Sequence, residues 1–247
     1  MLELETSYSL SQVPYITYDA LDEYAENLVR DFSPDVLHNP GAVDVDRLLE
    51  YYLGLNIDFR HIHYDRLILG MTAFSDGIID VLNIDTNQPE PMLLKRGTVI
   101  LDTSLSLSRN NKRRRFTMTH ESSHWLLHRK ALAPKNPFGN IGEFQNQYLA
   151  AKTGKVDYSR SEKERNDIER MERQADFLAS AILMPRPALR ETYIKFFKSI
   201  NEKRRILIRG VDNECAKHLS SYISEVYNVS NRAALIRLEK LGAIVSR

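Results

Sequence analysis

Apolar residues in the N-terminal part of the chain recur with helical spacing. Over residues 18–32 they fall three or four positions apart, which predicts an amphipathic helix. The residues of this apolar face are Leu21, Tyr24, Leu28 and Val29. A second helix is predicted over 43–53, with Asp44 as its candidate N-cap, and the intervening SPDVLHNPGA is predicted to be a loop.

Between residues 55 and 102 the pattern changes to short alternating or continuous apolar runs, separated by Asp, Asn, Gly and Pro. Such runs predict three or four strands of a small antiparallel sheet. The runs are NIDFRHI, RLILGMTAF, IIDVLNI and GTVILD. We expect the last of them, Thr98 to Asp102, to lie at an edge of the sheet, where an extended peptide can add as a further strand.

The second half of the chain is predicted to be mainly helical. Helical periodicity covers residues 114–130 and 162–184, and Pro185 and Pro187 are expected to end the second of these helices. The polar stretch 133–160 between them is rich in Pro, Gly, Asn and Gln. It is predicted to be a surface excursion, because a stretch of that length without periodicity is rarely part of a core.

Residues 188–247 again show helical patterning. Two final helices are separated by a short NVS break, with Ser230 as a candidate N-cap and Gly242 as a terminator, an order similar to a helix-turn-helix. We therefore predict an α+β fold. A mainly helical domain with a small antiparallel sheet covers residues 1–187, and a C-terminal helical segment over 188–247 packs on it.

Composition limits the classes of function. The 247 residues carry 34 basic and 33 acidic side chains, a net charge of +1, so no global field favours nucleic acid or a membrane surface. Cys215 is the only cysteine, which excludes an intramolecular disulfide and a thiolate zinc cluster and fits a reducing cytoplasm. We expect a cytoplasmic protein, because neither a signal-peptide pattern nor an apolar run of about 18 residues is present.

The segment FTMTHESSHWLLH carries an H-E-x-x-H pattern, formed by His120, Glu121 and His124, within a predicted helix. Residues four apart lie on the same helix face, so both imidazoles can bind one metal ion. Glu121 then projects beside the ion, where a base can take a proton from an activated water molecule. His128 stands about 12 Å along the helix axis from His120, too far to share the ion. We expect it to be a surface residue or a cation near the helix C-terminus.

A catalytic zinc ion usually has three protein ligands, and the candidate for the third is Glu172 in the segment ERMERQADFLASAILMP. Ala175 and Ala179 lie on the same side of this predicted helix and allow close packing against the histidine helix. Asp176, one turn after Glu172, is expected to accept the remaining N–H of a ligand histidine. The alternative interpretation is a solvated acidic face. We prefer that alternative for three earlier acidic residues, Glu162, Glu164 and Asp167.

Three segments taken in order resemble the ImmA/IrrE family of metallo-endopeptidases. They are RRRFTMTHESSHWLLH, ERQADFLASAILMP and VSNRAALIRLEKLG. The resemblance covers roughly residues 43 to 242, and three blocks in this order are more specific than any one of them. The chain departs from the family at Ser123, where glycine is frequent, and in the order of Phe177 and Leu178.

This resemblance implies a zincin-like fold in which His120, His124 and Glu172 bind the metal and Glu121 is the base. It implies Zn²⁺ as the ion, with Mn²⁺ or Fe²⁺ as alternatives. It also implies a protein substrate of the repressor-like class of transcription regulators, such as those that control mobile elements or stress responses. The expected activity is therefore regulatory proteolysis by an endopeptidase.

Two other functions stay open. A DNA-binding regulator is suggested by the C-terminal helix pair and by two basic runs, KRRR at 112–115 and KRR at 203–205, although the first run is more simply a solvated lead-in or a substrate-docking patch. A non-catalytic metal sensor is the other, and Glu121 argues against it because a structural site needs no base. The residues considered for oxyanion stabilisation are Tyr148, Tyr158, Tyr193 and His218.

Overall fold

The computed structural model describes residues 7–8, 12–62, 68–133, 162–203 and 206–246. They form two compact units. The sheet unit contains 7–8, 12–16 and the described residues from 45 to 176, and the helical unit contains 17–44 and the described residues from 177 onward. The excursion predicted at 133–160 lies outside the described residues, apart from Ala133.

The described residues form nine strands and eight α-helices. The strands are β1 (Ser7–Tyr8), β2 (Pro14–Tyr15), β3 (Asn56–Arg60), β4 (Gly70–Thr72), β5 (Gly77–Asn83), β6 (Gln88–Leu94), β7 (Thr98–Asp102), β8 (Leu207–Ile208) and β9 (Ile244–Val245). The helices are α1 (Tyr18–Phe32), α2 (Asp35–His38), α3 (Val45–Arg47), α4 (Asn111–Leu132), α5 (Glu162–Leu183), α6 (Arg186–Ser199), α7 (Asn213–Tyr227) and α8 (Asn231–Lys240). A π-helical turn continues α3, and two 3₁₀ turns precede α4.

The division into units differs from the predicted boundary at residue 187. It falls between Asp176 and Phe177, within α5, and it groups α1 and α2 with the C-terminal helices. An ion pair between Asp22 and Arg237 connects these distant parts of the chain. Because the two residues are 215 positions apart, no local pattern could indicate the grouping.

The sheet unit is built on a three-stranded sheet in the order β3-β7-β4. β4 runs antiparallel to β7, as predicted, whereas β3 runs parallel to it, so the sheet is mixed. The expectation that Thr98 to Asp102 forms an edge strand is wrong, because β7 is the central strand and all five of its residues are buried. Its continuous apolar run TVIL reflects that central position, since a strand covered on both faces has no polar side.

β5 and β6 form a separate antiparallel hairpin. β6 was not predicted, because its sequence QPEPMLL contains two prolines, which usually argue against a strand. Pro89 pairs with Leu82 and Pro91 with Asp80. A two-stranded hairpin has only edge strands, where a proline can be accommodated because its missing N–H can face away from the partner.

Helix α4 carries the H-E-x-x-H pattern and packs on β4 and β7. The Asp102 carboxylate at the end of β7 accepts a hydrogen bond of 2.9 Å from the Ser104 backbone N–H, which turns the chain toward α4. Within α4, the hydroxyl groups of Ser122 and Ser123 donate to the Thr119 carbonyl oxygen. These bonds satisfy two buried hydroxyl groups within the helix.

Most of the helices predicted for this part of the sequence are present in the helical unit. α1 has the predicted bounds, and the Thr17 side chain before it accepts a hydrogen bond from the Ala20 backbone N–H. Ser230 caps α8 as predicted, by accepting from the Ala233 backbone N–H. Gly242 follows α8 with a φ of 69°, the conformation that favours glycine at a helix end.

Two short elements of the helical unit depart from the predictions. The segment predicted to be a loop, SPDVLHNPGA, contains α2, and the parallel pair β8–β9 was not predicted. Pro187 lies in the first turn of α6, so it begins a helix rather than only following the end of α5.

Among the described residues, no helix is long and apolar enough to cross a membrane.

The C-terminal helix α8 contributes a buried ion pair to the helical unit. The side chains of Arg237 and Asp22 are 0% and 4% exposed and hydrogen-bond to each other. Arg237 Nε also donates to the Met184 carbonyl oxygen at 3.3 Å, and its guanidinium lies 5.3 Å from the centre of the Phe177 ring. Burial lowers the pKa of Arg237, and the carboxylate of Asp22 opposes this effect by stabilising the charged form.

Removing one partner of this ion pair will destabilise the helical unit. Asp22→Ala leaves the buried guanidinium without its counter-charge, and we expect a loss of about 3–5 kcal/mol in the free energy of unfolding. The double variant Asp22→Leu, Arg237→Met removes both charges and should recover most of that loss. Chemical denaturation followed by circular dichroism measures both values, and wild-type stability in Asp22→Ala would contradict the prediction.

Candidate active site

The side chains of His120, His124 and Glu172 converge on one point in the sheet unit. His120 Nε2 lies 3.0 Å from His124 Nε2. Glu172 Oε2 lies 3.3 Å from His120 Nε2, and Glu172 Oε1 lies 3.4 Å from His124 Nε2. α4 supplies both histidines and α5 supplies the glutamate. The structure thus brings together the three residues that the sequence predicts as metal ligands.

The measured separations fit a divalent metal ion. Ligand atoms about 2.0–2.1 Å from a tetrahedral zinc ion stand about 3.3 Å from one another. The two imidazole Nε2 atoms lie 3.0 Å apart, and each faces a different carboxylate oxygen of Glu172, at 3.3 and 3.4 Å. With one ligand atom taken from each residue, all three lie within 4.8 Å of one another. Two imidazoles and a carboxylate are donors that zinc and other divalent transition metals accept. These residues therefore form a candidate metal site.

Asp176 contacts one of the candidate ligands. Its Oδ1 lies 2.9 Å from His120 Nδ1. Because a carboxylate can only accept, His120 Nδ1 donates this hydrogen bond, and its Nε2 keeps a lone pair for a metal ion. The side chain of Asp176 is 62% exposed and that of His120 is 12% exposed, so the bond lies on the solvent side of the site. This contact is the one predicted from the spacing of Glu172 and Asp176.

The second candidate histidine ligand is fully buried. His124 is 0% exposed, and burial lowers its pKa well below the ordinary value. The imidazole is therefore neutral at pH 7, as a metal ligand must be. Its Nδ1 lies 3.0 Å from Nδ1 of His128, and His128 Nε2 lies 2.9 Å from Oε1 of Gln174.

His128 is not the surface residue or helix-terminal cation expected from the sequence. It is 0% exposed, and burial lowers its pKa to about 4, so the ring is neutral at pH 7. The expectation was wrong because it considered only the position of His128 near the end of α4, whereas this face of the helix meets Gln174 on α5. Its exclusion as a ligand agrees with the geometry, since its ring faces Nδ1 of His124 rather than the convergence point.

Glu121, the predicted base, is held by strand β4. Its side chain is buried, and the Thr72 hydroxyl lies 3.0 Å from Glu121 Oε2 and 3.1 Å from the Glu121 carbonyl oxygen. Gly70 allows this close approach, because a Cβ there would come within 2.7 Å of Thr117 Cγ2 and 2.9 Å of Glu121 Cγ. The signal available in the sequence was the glycine within an otherwise apolar run, ILGMT, which often marks a close approach of backbone to another element.

The four residues considered for oxyanion stabilisation gain no role from the structure. Tyr148 and Tyr158 lie outside the described residues. Tyr193 and His218 belong to α6 and α7 of the helical unit.

The acidic face predicted before Glu172 is not fully solvated. Asp167 is 5% exposed and pairs with Arg170, so the expectation of a solvated position is wrong for this residue. The guanidinium of Arg170 also lies 4.1 Å from the centre of the Tyr15 ring. The side chains of Glu162 and Glu164 lie outside the described residues.

The first basic run, at 112–115, is only partly available to solvent. Arg114 pairs with both carboxylate oxygens of Asp46, at 2.9 and 3.0 Å. Arg115 is 6% exposed, which corrects the expectation that the whole run is a solvated lead-in. In the second basic run, at 203–205, Arg204 and Arg205 lie outside the described residues.

The comparisons with known proteins agree with this site. A family model for M78 peptidases, described as the IrrE N-terminal-like domain, matches residues 85–239, more than half of the chain. The matched range includes all of α4 and α5, and so the candidate ligands and the candidate base. No curated protein matches the chain. A peptidase family implies that the substrate is a protein or peptide, and the family match shows that the chain belongs to the IrrE N-terminal-like family of M78 peptidases.

Proposed function

We propose that this chain is a zinc-dependent endopeptidase. The observation that carries the proposal is the convergence of His120, His124 and Glu172 at separations of 3.0–3.4 Å, with Glu121 adjacent to His120 on the same helix. Two imidazoles, one carboxylate and an open fourth position form a ligand set of hydrolytic zinc sites. Mn²⁺ and Fe²⁺ accept the same donors, so metal analysis of the protein purified from its own host identifies the native ion.

Each residue of the site has a separate role in the proposed hydrolysis. A divalent ion in this site supplies Lewis-acid activation of a water molecule and of the scissile carbonyl. The carboxylate of Glu121 accepts the proton of the attacking water and then delivers it to the nitrogen of the leaving amine. The Thr72 hydroxyl, 3.0 Å from Glu121 Oε2, limits rotation of that carboxylate. Asp176 holds the ring of His120 through its Nδ1–H.

The proposed substrate is a cytoplasmic regulatory protein of the repressor-like class, cut within an extended segment. Membership of a peptidase family supports a protein substrate. The resemblance of the three sequence segments supports a transcription regulator, of the kind found with mobile elements. The single cysteine, Cys215, supports the reducing cytoplasm as the compartment.

The proposal that the chain itself binds DNA has less physical support. Phosphate contacts need accessible cationic side chains. Arg115 is buried and Arg114 is engaged by Asp46, which removes half of the first basic run from such contacts. Arg237, in the last helix of the pair that resembles a helix-turn-helix, is buried against Asp22.

The same chemical change at two glutamates should affect metal content differently. Glu172→Gln removes the anionic candidate ligand, so we expect loss of stoichiometric Zn²⁺. Glu121→Gln keeps the ligands and removes the base, so we expect wild-type Zn²⁺ content with cleavage reduced at least about 100-fold. Elemental analysis and a cleavage assay measure the two effects. Full cleavage by Glu121→Gln would remove Glu121 from the mechanism.

The substrate class can be tested before any individual target is identified. N-terminal labelling of the host proteome, compared between cells that express the wild type and cells that express Glu121→Gln, reports peptide bonds cut by this chain. We expect new N-termini within a repressor-like regulator in the wild-type cells alone. If all new N-termini lie in proteins of other classes, the substrate part of the proposal is wrong, while the peptidase part stands.

The hydrogen bond from Thr72 should matter for catalysis more than for metal binding. Thr72→Val removes the hydroxyl that contacts Glu121 Oε2, and we expect kcat to fall about tenfold with unchanged Zn²⁺ affinity. Thr72→Ser keeps the hydroxyl and serves as the matched control, with kcat near that of the wild type. An equal kcat in the Val and Ser variants would show that β4 does not orient the base.

A further inference from the structure

A chain of buried hydrogen bonds leads away from the second candidate ligand. His124 Nδ1 lies 3.0 Å from His128 Nδ1, and His128 Nε2 lies 2.9 Å from Gln174 Oε1. Gln174 Nε2 in turn lies 2.9 Å from the backbone carbonyl oxygen of Pro14 in β2. The two histidines are 0% exposed and Gln174 is 3% exposed. Because these side chains are buried, their polar atoms must form hydrogen bonds with one another rather than with water.

The hydrogen bond to the Pro14 carbonyl oxygen determines which atom is the donor in each of the other hydrogen bonds of this series. A backbone carbonyl oxygen can only accept, so the amide nitrogen of Gln174 faces Pro14 and the amide oxygen faces His128. The opposite amide orientation would place two acceptor oxygens 2.9 Å apart. Because Gln174 Oε1 accepts, His128 Nε2 is the donor.

The same logic carries through to the metal site. A neutral His128 with its proton on Nε2 has a lone pair on Nδ1. Its neighbour 3.0 Å away, His124 Nδ1, must then carry the proton and donate. A neutral His124 with its proton on Nδ1 has its lone pair on Nε2, the atom that lies 3.4 Å from Glu172 Oε1 and 3.0 Å from His120 Nε2.

We propose that His128 and Gln174 are positioning residues that hold His124 in the tautomer and orientation required to bind the metal ion through Nε2. This inference rests on the proposed metal site. It differs from the role of Asp176, which acts on His120 from the solvent side through a carboxylate. His124 is instead held from the buried side by a neutral relay anchored on the main chain of β2.

A neutral relay suits a buried position. A carboxylate placed where His128 lies would need its own counter-charge, since an unpaired buried charge is strongly unfavourable. An imidazole and an amide transmit the same directional constraint with no net charge, and each uses both of its polar ends. A packing role alone would not require that donors and acceptors alternate along the whole chain of contacts.

Imidazole ¹⁵N NMR of the metal-free full chain near pH 7.5 measures the tautomers directly. In the wild type we expect His124 to be protonated at Nδ1 and unprotonated at Nε2, and His128 to show the reverse. Gln174→Met removes the acceptor for His128, and His128→Leu removes the acceptor for His124. In both variants the two nitrogen shifts of His124 should move toward each other, because the ring is no longer held in one tautomer.

Zn²⁺ affinity, measured by competition with a chelator, supplies the second readout. We expect His128→Leu and Gln174→Met to bind Zn²⁺ about 10–100-fold more weakly than the wild type. His128→Asn keeps an acceptor oxygen toward His124, so it should retain most of the affinity. Ser122→Ala, a buried change on α4 outside the relay, is the control and should bind as the wild type does.

The outcomes separate this inference from the proposed function. Protonation of wild-type His124 at Nε2 in the metal-free protein overturns the inference, and this measurement needs no variant to fold. Wild-type Zn²⁺ affinity in folded His128→Leu and Gln174→Met also overturns it while leaving the metal site in place. A wild-type chain that binds no divalent ion overturns the proposed function and, with it, this inference.

Discussion

The central feature of the sheet unit is the close approach of His120 Nε2, His124 Nε2 and the Glu172 carboxylate. In the proposed tautomers, hydrogen bonding at the two Nδ1 atoms directs the lone pairs of His120 Nε2 and His124 Nε2 toward each other, 3.0 Å apart, with the Glu172 carboxylate at 3.3 and 3.4 Å. Such an arrangement is repulsive unless a proton or a metal ion lies between the atoms. Under the proposed function, the packing of α4 and α5 holds these groups in place for a metal ion.

Two different devices hold the two imidazoles. On the solvent side a carboxylate is tolerated, because water screens the charge of the 62%-exposed Asp176. On the buried side the relay through His128 and Gln174 uses neutral groups and ends on a backbone carbonyl. The depth of each ligand thus accounts for the chemistry of its partner.

The sequence revealed those parts of the site that depend on periodicity within one helix. The four-residue spacing of His120 and His124 predicted a shared face that the structure contains. The relay was not predicted, because the partner of His128 is Gln174, an amide on another helix, and no local pattern in either helix indicates that they meet. The same limit explains the error in the sheet. The run TVIL identifies a buried strand, but the central position of β7 depends on pairings with strands that are distant in sequence.

The proposed base and the two proposed histidine ligands are close together on α4, yet different elements hold them. Glu121 contacts Thr72 and is accommodated by Gly70, both on β4. His120 is instead held by Asp176 on α5, and His124 by the relay through His128 and Gln174. A displacement of β4 relative to α4 would move the base while leaving the ligand atoms at their separations. In the proposed mechanism, metal binding and proton transfer are therefore separable, even though three of the four residues involved come from five consecutive positions. A chain that kept α4 and α5 but lost the Gly70 approach would bind metal without an oriented base, the arrangement expected of a non-catalytic sensor.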